Sequence, residues 1–194
     1  IAGLDTPETI VTNNPTDLIE FCRDHGGKVA LKTIGGHAFQ KRDGGEFFGI
    51  YTNLVSLDQI VERTEEVKLA PVMAQAYVPK KLELRITIVD QKIFACAIHS
   101  QDSPRTMHDW RRYDFKNVRH EAYQLPLEIE SKLLRLMDAL HLQFGAIDMI
   151  LTPDGRYVFL EVNPNGQWLW IEHLTKLPIS QAIAELLADP PIQQ

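Results

Sequence analysis

Apolar positions follow two rhythms along the chain, and the changes of rhythm mark the elements. Ile129, Leu133, Leu136, Met137 and Leu140 recur at helical spacing, which predicts a helix there. A first helix is expected over Thr16 to His25, ended by Gly26 and Gly27. Ser56 with Gln59 three residues later gives a capping-box start to a second helix, running to about Glu66. "KVALKTI", "EFFGIYTNLV" and "VMAQAYV" read as strands, and the glycine-flanked "GGHAFQKRDGG" as a loop. "LELRITIV" and "IFACAIH", separated only by Asp90, Gln91 and Lys92, read as a hairpin. "GAIDMILTPDGRYVFLEVNP" reads as another, turning at Pro153, Asp154 and Gly155. "SQDSPRTMHDWRRYDFKN" is polar with no clear period, and helical segments around Trp168–Leu174 and Pro178–Leu187 close the chain. Antiparallel hairpins interleaved with helices predict an α+β fold rather than a doubly wound parallel sheet.

Composition narrows the function classes. With 194 residues, 44% of them hydrophobic, the chain can bury a real core as one large domain or two small lobes. A net charge of −6 argues against non-specific binding to nucleic acid or acidic membranes. No apolar run reaches transmembrane length and no signal-peptide pattern opens the chain. The two cysteines, Cys22 and Cys96, are too few for a disulfide scaffold, which predicts a cytoplasmic location. The histidines show no zinc-ligand spacing. The opening "IAGLDTPETIVTNNP" reads as an interior connector, so a preceding segment is expected.

The second hairpin holds the candidate chemistry. Ile147, Met149 and Leu151 share one face of its first strand, leaving Asp148 on the other; Phe159, Glu161 and Asn163 lie opposite the apolar Val158, Leu160 and Val162. Matching the apolar faces sets Asp148 across from Glu161 and Ala146 across from Asn163, by a four-residue connection or by a shorter turn with a bulge. Two facing carboxylates repel, and a divalent cation reverses this. Oxygen-only donors suit Mg²⁺. An ordinary hairpin with solvated acids fits the same pattern.

Lys32 ends an apolar strand before Gly35 and Gly36, where a lysine and a glycine loop can meet phosphate oxygens. A purely structural lysine is the alternative. The loop is not a P-loop, and the kinase reading of "VALK" lacks a catalytic loop and D-F-G.

Taken in order, "ALKTIGG", "AQAYVPKKLELRITIV" and "GAIDMI…FLEVNPNG" resemble the ATP-grasp ligases. "LELRITIV", "DWRRYDF" and "NPNGQWLWIEHLT" most resemble the graspetide (microviridin-type) peptide ligases, relatives of the ribosomal-protein glutamate ligases. The resemblance implies an ATP-grasp fold, two α/β lobes whose antiparallel sheets grip ATP: residues 1–78 as the N-lobe with a glycine-rich lid, and 79–194 as the C-lobe with the metal site. It also implies a pre-ATP-grasp domain before the first residue. ATP phosphates would meet Lys32, with Gly35 and Gly36 in the lid, and adenine would meet Gln75, Tyr77 and Val78. Glu83 would sit at the ribose. Asp148, Glu161 and Asn163 would hold Mg²⁺, and Arg85 and Arg111 would face the transferred phosphate. The implied activity is ADP-forming ligation through an acyl-phosphate, closing ester or amide crosslinks in a precursor peptide, by a homodimer. Strand addition at an edge near "LELRITIV" is the expected docking mode. Glutamate addition, ligation of other carboxylate and amine substrates, or a non-catalytic nucleotide- and peptide-binding module are the alternatives.

Overall fold

The computed structural model describes residues 2–34, 38–40, 47–49 and 51–189, which divide into two compact units. Gly35 and Gly36 lie outside these described residues.

The first unit comprises Pro7–Val78 and Pro104–Asp114. It holds strands β1 (Thr9–Thr12), β2 (Lys28–Lys32), β5 (Asn53–Ser56) and β6 (Val72–Ala76) in the sheet order β1-β6-β2-β5, all antiparallel. A separate ribbon pairs β3 (Ala38–Gln40) with β4 (Phe47–Gly49). Helix α1 (Pro15–Asp24) starts where the Asn14 side chain accepts from the Thr16 amide and ends before Gly26 and Gly27, whose φ values of 74° and 75° are open to glycine. The capping box at Ser56 and Gln59 opens α2 (Leu57–Glu62) as expected. The helix stops at Arg63, and α3 (Thr64–Val67) restarts the turn, so the single helix expected to Glu66 is two. Leu18 and Cys22 of α1 and Ile60 of α2 bury against Val29 and Ala74 of the sheet. Two further expectations are corrected here. "GGHAFQKRDGG" contains β3, and "EFFGIYTNLV" is not one strand but β4 and β5 in different sheets. Just before β5, the Thr52 amide donates to Asp109 Oδ2 (2.9 Å).

The second unit comprises the N-terminal residues through Thr6, Pro79–Ser103 and the chain from Phe115 onward. Strands β7 (Leu82–Val89), β8 (Lys92–Ile98), β9 (His120–Tyr123), β10 (Phe144–Leu151) and β11 (Tyr157–Asn163) form one antiparallel sheet, ordered β11-β10-β7-β8-β9. Helix α4 (Leu127–Ala139) lays Ile129, Leu133 and Met137 on Leu84, Ile86, Ile147 and Met149. Each such large side chain contributes about 1.5–3 kcal/mol when fully buried. Helices α5 (Leu169–Thr175) and α6 (Ile179–Ala188) follow, each within a residue of its sequence-based bounds. The expected edge at "LELRITIV" does not exist, because β7 is the central strand and is paired on both sides, by β8 and by β10. Among the described residues no helix is long and apolar enough to cross a membrane.

Candidate active site

The carboxylate hairpin adopts the shorter turn with a bulge. Ala146 pairs with Asn163 and Asp148 with Glu161, then the register shifts so that Met149 faces Phe159. Leu160 is the extra residue. The bulge turns Phe159 onto the core beside Met149, which corrects its expected place next to Glu161.

Strand alternation builds the site face of the second unit. The even positions of β7 (Leu84, Ile86, Ile88) enter the core, so Glu83, Arg85 and Thr87 face the other way. Cross-strand pairing then gives one row across the sheet: Glu161, Asp148, Arg85 and Cys96. A neighbouring row holds Asn163, Ala146 and Thr87, and the row on the other side holds Ile150 and Glu83.

Within the central row, Arg85 Nη1 donates to both Asp148 oxygens, at 2.8 and 2.9 Å, and the two side chains are 7% and 8% exposed. Arg85 Nη2 also reaches the Gln167 carbonyl at 3.4 Å. Glu161 is half-buried, and its side chain has no hydrogen bond or ion pair among the described residues. Asn163 is exposed, and its Oδ1 accepts from the Asn165 amide at 2.8 Å. Glu83 is buried and accepts from Lys80 Nζ at 2.8 Å. Burial of the neighbouring Cys96 pushes its thiol up to about 12, so it stays neutral and inert in this row.

No three His, Cys, Asp or Glu side chains cluster as ligands among the described residues. The donor set that does exist, two facing carboxylates and a rim amide oxygen, fits a hard cation. Arg85 occupies part of Asp148, yet a carboxylate offers about four lone-pair sites and keeps some for a metal. Glu161 is the side chain in the row that a cation would complete.

In the first unit, Lys32 and Gln75 share the sheet face away from α1 and α2, since Val29 and Ala74 point to those helices. Gln75 pairs with Ala30, two residues before Lys32, and donates through Nε2 to Thr9 Oγ1 (3.1 Å). Tyr77 and Val78 follow the end of β6, both half-buried. Arg111 belongs to this unit. Its Nε and Nη2 donate to the two Asp109 oxygens (2.9 and 2.8 Å), and Nη2 also reaches Thr52 Oγ1 (3.3 Å). Burial alone would raise the Asp109 carboxyl. The Arg111 guanidinium and the amides of Thr52 and Arg111 outweigh this and hold it below the usual carboxylate range.

Lys80, Asp109 and Gly166 escaped the sequence reading. Lys80 lies three residues before Glu83 and Asp109 two before Arg111, spacings that could have flagged both pairs. Nothing local flags Gly166. A Cβ there would meet Ala146 Cβ at 2.3 Å and Arg85 Nη2 at 3.1 Å.

A strand lysine on one antiparallel sheet and a carboxylate hairpin on a second, with helices packed on each, define the ATP-grasp class. The chain belongs to the ATP-grasp family: the family model for the prokaryotic glutathione synthetase ATP-grasp domain matches residues 4–151. That match ends with β10, so Glu161 and Asn163 lie beyond it. The chain is similar to a Chryseobacterium gregarium RiPP-associated ATP-grasp ligase solved with ADP and a leader and core peptide, at 35% identity, over 99% of this chain and 57% of that one, with a TM-score of 0.88. It is similar to macrocyclase MdnC of Microcystis aeruginosa MRC, solved with precursor peptide MdnA (40% identity, 96% and 57% coverage, TM-score 0.82). Macrocyclase MdnB of the same organism is a further match (36% identity, 96% and 55%, 0.69). The chain spans a little over half the length of these proteins. No curated protein matches it in sequence.

Proposed function

We propose that this chain is the ATP-grasp part of an ADP-forming ligase acting on a ribosomally made precursor peptide. The observation that carries the proposal is the half-buried Glu161, whose side chain has no partner among the described residues, set directly across from Asp148 on one sheet face. Similarity to ligases solved with peptides supports the substrate class.

In the proposed reaction a side-chain carboxylate oxygen attacks the γ-phosphorus of ATP, the bond to the β–γ bridging oxygen breaks, and ADP leaves. The product is an acyl-phosphate. A hydroxyl or amine of the same peptide then attacks its carbonyl carbon, loses its proton and expels phosphate, leaving an ester or amide ring. The first step brings two anions together and the second must hold the nucleophile at the acyl-phosphate carbonyl, so the protein's work is electrostatic and positional. Lys32 and Arg111 supply positive charge for the phosphates; Asp109, by gripping Arg111 at two nitrogens, fixes where that charge points. Asp148, Glu161 and Asn163 would hold Mg²⁺, which neutralises phosphate charge when bound. Gln75, Tyr77 and Val78 are assigned to adenine, Glu83 to the ribose, and Gly35 and Gly36 to the lid.

A homodimer is the proposed assembly, by family resemblance, and light scattering on the chain checks it. The two buried free cysteines support a reducing, cytoplasmic setting.

The proposal is tested by incubating the chain with ATP, Mg²⁺ and a precursor peptide and weighing the peptide. Loss of one water per ring, matched by ADP, is expected. A gain of glutamate or phosphate would identify a different reaction, and peptide binding without ADP would identify a recruiting module.

A further inference from the structure

We infer that Gly166 is a positioning residue: it lets the loop after β11 seat against Ala146, so that Arg85 is latched between the Gln167 carbonyl and Asp148. The inference rests on the metal reading of Asp148 and Glu161, and deepens it.

Three observations converge on one spot. Gly166 is buried, and any Cβ there would fall 2.3 Å from Ala146 Cβ, far inside contact distance. Ala146 cannot yield, being fully buried in the middle of β10, directly opposite Asn163. The loop is therefore drawn down onto the sheet, and the Gly166 amide donates to the Asn163 carbonyl (3.2 Å), closing a tight turn over the hairpin end. This close approach brings the Gln167 carbonyl within reach of Arg85 Nη2, while Nη1 of the same guanidinium holds both Asp148 oxygens. One planar cation thus ties two segments together, the loop that follows Asn163 and the strand that presents Asp148. A lysine could satisfy either partner but has no rigid fork to hold both.

The consequence concerns the carboxylates. Asp148 and Glu161 face each other, and without a cation they repel. Arg85 fixes the Asp148 rotamer and offsets half of that charge, leaving Glu161 as the side chain that waits for a ligand. Gly166 contributes nothing chemical itself; it sets the distance at which Arg85 works.

The test titrates Mn²⁺ alone into the chain and follows the free ion by electron paramagnetic resonance, for wild type, Glu161→Gln, Gly166→Ala, Arg85→Lys and the double variant Arg85→Lys/Gly166→Ala. Loss of an outer partner of a ligating carboxylate typically weakens metal binding by about 10–100-fold, which is the effect expected for each of the two latch variants. Because they disable one device, the double variant is expected to bind about as weakly as Arg85→Lys. Wild-type affinity in Gly166→Ala, or an additive loss in the double variant, overturns the latch. If Gly166→Ala does not fold, wild-type affinity in Arg85→Lys overturns it equally. Failure of the metal reading looks different: wild type would bind no Mn²⁺, or Glu161→Gln would bind as well as wild type.

Discussion

Arg85 on β7 meets Asp148 on the neighbouring strand β10 through a single nitrogen that donates to both carboxylate oxygens, at 2.8 and 2.9 Å, with both side chains buried. Sixty-three positions separate the two residues in sequence, and the β7–β10 pairing sets them side by side. The pair joins the stability of the sheet to the geometry of the candidate metal site.

Removing one member leaves an uncompensated buried charge. Arg85→Met is expected to destabilise the unit by about 3–5 kcal/mol, whereas Arg85→Met with Asp148→Leu should recover much of that loss. Urea unfolding of the two variants checks this. Equal loss in both would mean that packing, not charge, is what Arg85 provides.

The grip of Asp109 on Arg111 gives a pH signature. The folded carboxyl titrates below its unfolded value of about 3.9. Its stabilisation is therefore complete above that unfolded value and is lost as pH falls through the lower, folded one. Thermal midpoints of wild type and Asp109→Asn should differ most near neutral pH and converge below about pH 4. A gap unchanged at the acid end would show that the carboxylate charge is irrelevant.

Ser56 caps α2 reciprocally with Gln59. Ser56→Ala should cost about 1 kcal/mol, read as a lower denaturation midpoint with an unchanged slope.

Leu133, fully buried on α4, should lose about 2–5 kcal/mol on truncation to Ala. An effect under about 1 kcal/mol, the scale of a surface change, would mean that α4 does not pack as described.

The hairpin register was legible before the structure because a period of two leaves little choice: setting Ile147 beside Val162 forces Asp148 opposite Glu161. The sequence allowed a bulge as one of two connections but did not choose between them or place it at Leu160, since one inserted residue carries no composition signal; Phe159 changes faces with it. The Ser56 capping box could be read because its geometry is local. The place of β7 at the centre of its sheet could not, because it depends on pairing with β10, far along the chain. Strand β9 was missed for a related reason, being four residues long with Glu121 and Ala122 exposed in its middle. The loop over Ala146 depends on a contact between chain segments, so nothing in "NPNG" alone announced why Gly166 must be glycine.

The central claim is that Asp148 and Glu161 hold a cation for ATP. Its most direct measurement is the thermal midpoint of the chain with ATP, with and without Mg²⁺, for wild type and Glu161→Gln. At about a hundredfold excess over Kd, binding adds roughly 2.7 kcal/mol of stability. A Mg²⁺-dependent rise in wild type that shrinks in Glu161→Gln is the predicted result. The same rise in both proteins would contradict it.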